Sequence, residues 1–482
     1  MKLQRKARLG TIVFVAAALS LGLPLTGAEA QTPPQSLDGQ WLSNGHGHFF
    51  EFQGESARDY EITTLSCIAS GTATRKTAPG PANEIVYAAD GDTFRAFPAM
   101  SADTRWLHED GSVSNVMLRR TDSRPEPCRQ PLPDTPVANY QVFWETFSEQ
   151  YPFFALRHMD WAAADKKFRP QVTPETKPEE LFHILSDMIE LLHDAHTYIN
   201  ARSIQKRFHG FRPSADPMQK KNAARITEII ETKYVEGGLR DFCNRQLQFG
   251  LLHLADGGTP SGPGTGGRTG AVGYLRIHSF NGYSDDQEFL KQVDALETAL
   301  DGIFKDSAKL TGLVIDVRIN GGGSDVFGIS IASRLATEEY LAYSKVARND
   351  IHDPDHRTPP QPVMVHVSQR AGFRGHVVLL TSADSVSAAE TFTMALLDRR
   401  PHVVRVGSNT QGVFSDVLGR KLPNGWTFGL PNEIYLTKDG RAFDGSGVPP
   451  DIEVPIFPEQ DLASGRDSAL EKALELLAHK AG

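Results

Sequence analysis

Three short stretches carry residue types suited to acyl chemistry. "DSVSAAETF" (384–392) follows the apolar run "HVVLL" (376–380) and opens a helical pattern. A serine on the sharp turn between a buried strand and a helix is where many hydrolases keep their nucleophile, and the helix dipole there favours a developing negative charge. Ser387-x-x-Glu390 is equally a capping box, so Ser387 fits both a helix cap and a nucleophile, with Glu390 as the N3 partner. "INGGGSD" (319–325) follows the apolar run "LVIDVR" and could present main-chain N–H groups to an oxyanion. "DAHTY" (194–198) closes a helical stripe and offers His196, the side chain that takes and returns protons near neutral pH. His193 is a rival base. A serine nucleophile needs such a base, and the base needs an orienting carboxylate.

The elements around these stretches alternate between strand and helix. "AVGYLRIHSF", "LTGLVIDVR", "HVVLLTS" and "HVVRVG" read as near-continuous apolar strands, as in a sheet covered on both faces. Helices are expected near "DDQEFLKQVDALETALDGIF", "VFGISIASRLA", "SAAETFTMALLDRR" and "SALEKALELLAHK". This is an α/β core, and open α/β sheets bind ligands at the carboxyl ends of their strands. Both the glycine loop and the Ser387 turn sit at such ends. The glycine loop is not a nucleotide motif: G-x-G-x-x-G would need glycine where Val326 stands, and no G-x-x-x-x-G-K-[ST] occurs. Upstream, Tyr140, Phe143, Trp144, Phe147 and Tyr151 repeat at helical spacing, and a second helix opens near Pro178 with Leu181, Ile184, Leu185 and Met188 on its stripe. "ARITEIIETKYVEGG" and "FGLLHL" read as strands, and "ADGGTPSGPGTGGRTG" (255–270) as a flexible loop that could serve as a lid.

The whole chain sets the frame. Its 482 residues exceed one ordinary domain, and 40% hydrophobic residues suffice for a sizeable core. The formal net charge is −9 with no long basic block, which argues against nucleic acid as a partner. "MKLQRKAR", an apolar run and Ala28-Glu29-Ala30 predict a signal peptide over residues 1–30, hence an exported, periplasmic or secreted protein with no later membrane span. Residues 31–130 read as a small all-β barrel or sandwich, ended by the Pro-rich "RPEPCRQPLPDTP". A helical segment is expected over 131–205 and the α/β core over 206–482. Of the three cysteines, Cys67–Cys128 would staple the β region and leave Cys243 over, although spacing alone does not fix the pairing. No cofactor or metal is expected; His46-Gly47-His48 is a chance pattern in a strand. Asp316 and Arg318 are expected to pair, and Asp451 to bond local backbone.

Five of these pieces stand in the order found in one family. "GYLRIHSF", "LVIDVRINGGG", "TSADSVSAAETF", "VGSNTQG" and "GSGVPPDIEV", after the helical "YPFFALRHMDW…LLHDAHTY", resemble the S41 peptidases, which include the C-terminal (tail-specific) processing proteases and the tricorn core. The resemblance implies a ClpP/crotonase-like core with crossover helices. It implies a serine endopeptidase acting on peptide or unfolded protein, with Ser387 as nucleophile and the N–H groups of Ala388 and Gly321 or Gly322 as oxyanion donors. The processing branch places a lysine after G-x-x-T-x-G. Here that segment is Gly407–Gly412 and Val413 follows, so a Ser–Lys dyad is absent. The tricorn-like branch uses a histidine that matches His196. Ala195 replaces the serine that precedes it there, and Asp444 stands where the branch has its orienting acid. No stretch between Asn200 and Gly270 reads as a complete PDZ domain. The rival readings are a non-catalytic ligand-binding module on the same fold and an esterase-like hydrolase.

Overall fold

The computed structural model describes residues 36–76, 84–89, 92–213, 221–253 and 271–480. The expected signal peptide and the Gly/Pro-rich loop at 255–270 lie outside the described residues.

Eight antiparallel strands come first: β1 (Gly39–Ser43), β2 (His48–Gln53), β3 (Ser56–Ile62), β4 (Cys67–Lys76), β5 (Ile85–Ala89), β6 (Asp92–Pro98), β7 (Thr104–Glu109) and β8 (Val116–Thr121). They form a meander that closes when β1 pairs β8, so the barrel alternative is realised and no edge is left open. Inward positions alternate with outward ones, and Trp41, Phe52, Tyr87 and Leu118 fill the interior. Cys67 and Cys128 are disulfide-bonded, tying β4 to the segment that leads out of the barrel; Cys243 is free.

Helix α1 (Pro136–Gln150) starts at Thr135, whose side chain accepts from Ala138 N–H, with proline at its first position. It packs with α2 (Trp161–Phe168) and α3 (Pro178–Glu190) around Phe143, Phe147, Leu185 and Met188. The same cluster takes in Ile199 of β9 (Tyr198–Ala201), which pairs with β10 (Lys206–His209). "ARITEIIETK", expected as strand, is instead helix α4 (Ala223–Lys233). Ile226, Ile229 and Ile230 recur at helical spacing and are buried together, so tertiary packing overrides the strand preference of the β-branched run.

Strands β11 (Val235–Phe242), β12 (Leu247–Leu252) and β13 (Ala271–Ile277) are followed by α5 (Phe289–Phe304), β14 (Leu310–Asp316), the two-residue β15 (Ile319–Asn320) and α6 (Asp325–Leu335). Then come β16 (Tyr340–Ala347), β17 (Gln361–Val365), β18 (Val377–Thr381), the short β19 (Asp384–Ser385), α7 (Ala388–Ala395) and β20 (Val404–Gly407). The chain finishes with β21 (Val417–Lys421), β22 (Thr427–Pro431), β23 (Glu433–Leu436), β24 (Ile452–Glu453), α8 (Glu459–Ser464) and α9 (Ser468–Lys480). The main sheet runs β11-β12-β13-β14-β18-β20-β24, parallel from β13 onward. Helices α5, α6 and α7 pack on one face, α4 and α9 on the other, which explains the uninterrupted apolar strands. Within the described part of 206–253, β11 and β12 extend one side of this sheet, while β10 belongs to the second sheet. A second sheet, β10-β9-β22-β21, carries the helical segment, and a third, β17-β16-β23, lies beside it.

Candidate active site

Two parallel strand ends in the core, β14 and β18, each continue into a two-residue strand, and these pair: Ile319 with Asp384 and Asn320 with Ser385. That pairing sets the glycine loop beside the Ser387 turn. Val386 N–H donates to Asn320 O (2.9 Å), and Ser385 Oγ donates to Val317 O (2.7 Å). The turn then breaks sharply. Ser387 has φ 56°, ψ −118°, in a region L-residues avoid at a cost of about 1–3 kcal/mol. Helix α7 begins at the next residue.

The capping expectation is met in part by main chain. Glu390 N–H donates to Ser387 O (2.7 Å), and Glu390 Oε2 accepts from Ser387 N–H (3.2 Å). Glu390 does more than cap. It is fully buried and accepts also from Thr410 Oγ1 (2.6 Å), Gly412 N–H (2.7 Å) and Val413 N–H (2.8 Å). Burial pushes its carboxyl up to about 7, against the pull of these donors. Through it the Ser387 turn is fastened to the 410–413 loop.

The next residue of that loop, Phe414, meets His196. His196 Nδ1 lies 3.0 Å from Phe414 O. A carbonyl only accepts, so Nδ1 carries the proton and Nε2 keeps its lone pair. Burial of the ring lowers its basicity below the ordinary value, outweighing the opposing influence of Asp194 and Asp416. The resting ring is therefore neutral at pH 7. His196 is placed by Asp194, whose Oδ1 accepts the His196 main-chain N–H (3.0 Å). Asp194 is 2% exposed and bonds Tyr151 OH (2.7 Å) and Arg157 Nη2 (3.3 Å) at Oδ2. Thr197 Oγ1 donates to Asp194 O (2.6 Å), and a Cβ on Gly210 would stand 2.1 Å from that oxygen, so glycine alone fits there.

The expected oxyanion donors separate. Gly322 N–H donates to Asn320 Oδ1 (2.9 Å) and is not free for an oxyanion. Asn320 is oriented for this by donating Nδ2 to Ile277 O (2.9 Å). Gly322 instead provides closeness: at φ +96° its missing Cβ would lie 2.7 Å from Ser387 Cβ and 3.2 Å from Ala388 N. Gly321 N–H and Ala388 N–H form no hydrogen bond among the described residues, so Gly321 and Ala388 remain as donors.

Asp444, expected to receive the His196 Nδ1 proton, does not occupy that place; Phe414 O does. Asp444 is buried, with Phe414 N–H, Asp194, Glu390 and Arg157 as electrostatic neighbours, and its Oδ2 has no hydrogen-bond partner. Burial first, then Asp194 and Glu390, raise its carboxyl well above the usual range, which works against the ionised form an orienting acid uses. His193 is exposed, at φ 46°, with its ring against Phe211. Asp316 and Arg318 do pair (2.6 Å), in a buried trio with Asp467. Asp451 accepts from Arg405 N–H (2.8 Å). Among the described residues no group of His, Cys, Asp or Glu is arranged to hold a metal ion. His46 bonds Glu433 and His48 bonds Asp59 instead.

Sequence reading missed Asp194 and Phe414. The first left a signal: aspartate two residues before His196 is an Asx-turn spacing. The second acts through a main-chain carbonyl and left none.

A strained serine at a strand–helix elbow, free N–H groups beside it and a neutral histidine one loop away define an α/β site suited to acyl chemistry. Residues 271–454 match the model of peptidase family S41, and residues 135–190 match the tricorn protease C1 domain. The α/β core is thus similar to family S41, and the segment carrying helices α1–α3 is similar to a tricorn C1 domain. A carboxy-terminal-processing protease of Bartonella bacilliformis is 27% identical over 192 residues, a match that covers 38% of this chain and 39% of that protein. Among solved structures, a putative peptidase from Parabacteroides merdae superposes with TM-score 0.54 at 24% identity, over 72% of this chain and 97% of the other. Mature CPAF gives TM-score 0.53 at 13% identity, over 72% and 97%. These likenesses establish the fold.

Proposed function

We propose that the chain is a serine peptidase of the tricorn-like kind, working through an acyl-enzyme. Ser387 Oγ attacks the scissile carbonyl while His196 Nε2 takes its proton. Ala388 and Gly321 N–H groups hold the oxyanion, where each such donor is worth about 2.7–4 kcal/mol in the transition state. His196 then returns the proton to the leaving amine, and water, activated by the same nitrogen, releases the acyl group. Phe414 O holds the tautomer. Asp444 acts one step away, as support for the Phe414 segment, and Asp194 sets the histidine main chain.

The observation that carries this reading is the His196 Nδ1 to Phe414 O bond, which leaves the other ring nitrogen a free base. Substrates are peptides or unfolded proteins, as the family and the carboxy-terminal-processing relative support. Export is the reading for location. The Cys67–Cys128 disulfide supports it, since such bonds persist in oxidising compartments. Among the described residues no helix is long and apolar enough to cross a membrane.

The test is intact mass after a fluorophosphonate serine reagent. One adduct on the unaltered protein, absent from Ser387→Ala and His196→Ala, is expected. An adduct that survives Ser387→Ala would assign the wrong serine. No adduct on the unaltered protein would favour a ligand-binding module.

A further inference from the structure

The barrel is not filled along its whole length. Trp41, Phe52, Tyr87 and Leu118 close one part of it. The remainder is a cavity of about 490 Å³, walled by residues of β2 to β8 and, from the peptidase body, by Asp416, Val417, Leu418, Asn432 and Glu433. Eight-stranded barrels have interiors just wide enough for side chains or one small ligand, so a void here is a built receptacle. Its wall is apolar: Phe50, Ala57, Phe94, Leu107 and Val116.

Its carboxylates outnumber the two histidines, His46 and His48, that also line it. Asp59, Asp92, Glu109, Asp416 and Glu433 line it, and no lysine or arginine does. Three of the five are answered from within the protein. Asp59 meets His48 (2.9 Å), while Lys345 holds both Asp416 (2.5 Å) and Glu433 (2.9 Å). Asp92 and Glu109, at the exposed rim, form no ion pair among the described residues. The enclosing cavity wall, then Asp92, raise the Glu109 carboxyl; His48 opposes this, and Asp416 and Asp59 add to the rise. A second observation lies at the floor. Asn432 is 2% exposed and lines the cavity, and its Nδ2 has no hydrogen-bond partner. A buried donor facing a roomy cavity is open to water or to an acceptor on a guest.

We propose that the barrel cavity is a binding site for an organic cation, an ammonium or guanidinium group carried on an apolar body. The body lies against Phe50, Phe94 and Leu107, the charge faces Glu109 and Asp92, and an acceptor on the ligand meets Asn432 Nδ2. Asp416, on the cavity wall and half exposed, is two positions from Phe414, so the cavity adjoins the loop whose carbonyl holds His196. The cation has two sources: a lysine or arginine side chain of a bound peptide, or a free amine.

Calorimetry on the full chain carrying Ser387→Ala reads the binding without turnover, so its result is independent of the role proposed for Ser387. The ligands are 3-(4-methoxyphenyl)propylamine, the neutral 3-(4-methoxyphenyl)propan-1-ol and the anionic 3-(4-methoxyphenyl)propanoate, which share an ether acceptor for Asn432. The amine is expected to bind at least about tenfold more tightly than the alcohol. Glu109→Gln with Asp92→Asn should bring the two to parity, and Glu109→Lys should favour the carboxylate. Both sites are at the exposed rim, where substitution leaves the barrel core intact. Equal binding of amine and alcohol in the Ser387→Ala chain, or no saturable binding of either, overturns the proposal. The source is settled on enzyme with Ser387 intact. If replacing a peptide lysine by norleucine raises KM about tenfold, and Glu109→Lys abolishes that difference, the cation belongs to the substrate. If the peptides behave alike while the amine binds, the ligand is a free amine. Either source keeps the site.

Discussion

The Ser387 elbow and the His196 corner are built in opposite ways. The elbow is local. Nine consecutive residues supply the strand end, the strained serine and the helix start, and one short strand pairing brings the glycine loop alongside. Its parts are bonded redundantly, with Glu390 alone accepting four hydrogen bonds. The corner is assembled from distant stretches: His196 and Asp194 after α3, Tyr151 and Arg157 after α1, and Phe414 from 218 residues further along the chain than His196. Its ring is aimed by a single hydrogen bond. A nucleophile held by backbone geometry tolerates little change in shape, whereas a base held by one contact depends on the packing that delivers its partner.

Removing either functional group is the harshest way to break the comparison. Ser387→Ala and His196→Ala should each lower peptide turnover by about 10³–10⁶-fold, and the double variant should be no worse than the singles. Steady-state kinetics on a peptide panel reads this, and additive losses would mean that the two do not act as a unit.

The shape sensitivity of the elbow is sharpened by neighbouring glycines. Gly322→Ala places a methyl 2.7 Å from Ser387 Cβ at a positive φ and should cost about 10²-fold in kcat with a lower Tm. Gly321→Ala meets nothing within 4 Å and keeps its N–H, so activity and Tm should stay near those of the unaltered protein. Equal effects of the two would refute the division of labour in the loop.

The corner should fail through packing. Asp194→Asn leaves Arg157 without its buried counter-charge, an expected loss of about 3–5 kcal/mol in denaturant unfolding together with reduced kcat. Normal stability with reduced kcat would make Asp194 purely an aligning group.

Protonation gives a milder test. Because burial lowers the His196 pKa, the neutral base persists to lower pH, and the acid limb of kcat/KM should have its midpoint below about 6.5. A midpoint above 7 would mean that an ionised carboxylate stabilises the imidazolium after all.

The smallest effect is expected at Asp444. With Phe414 O on Nδ1, Asp444→Asn should lower kcat less than about tenfold. A loss near 10⁴-fold, the scale for a true orienting acid, would restore it to that role.

Much of this was legible in the sequence. Strand and helix periodicities gave the α/β core, and the Ser387 turn and the glycine loop lie at neighbouring strand ends as an open sheet predicts. The cap at Glu390 was legible because it is a contact between residues three apart. The helix at Ala223–Lys233 was legible as well, since Ile226, Ile229 and Ile230 stand at i, i+3 and i+4; the strand expectation gave β-branched content more weight than that spacing.

What the residues alone determined are the contacts made within a few positions: the elbow, the caps, the apolar stripes and the alternation of the barrel. Tertiary structure decided which main-chain groups were free and which were taken. Gly322 N–H is consumed by Asn320 while Gly321 N–H is left, and the His196 proton goes to a carbonyl rather than to Asp444. Backbone N–H and C=O groups are the same in every residue, so sequence carries no mark of which one faces a site. Only the packing of distant segments assigns them.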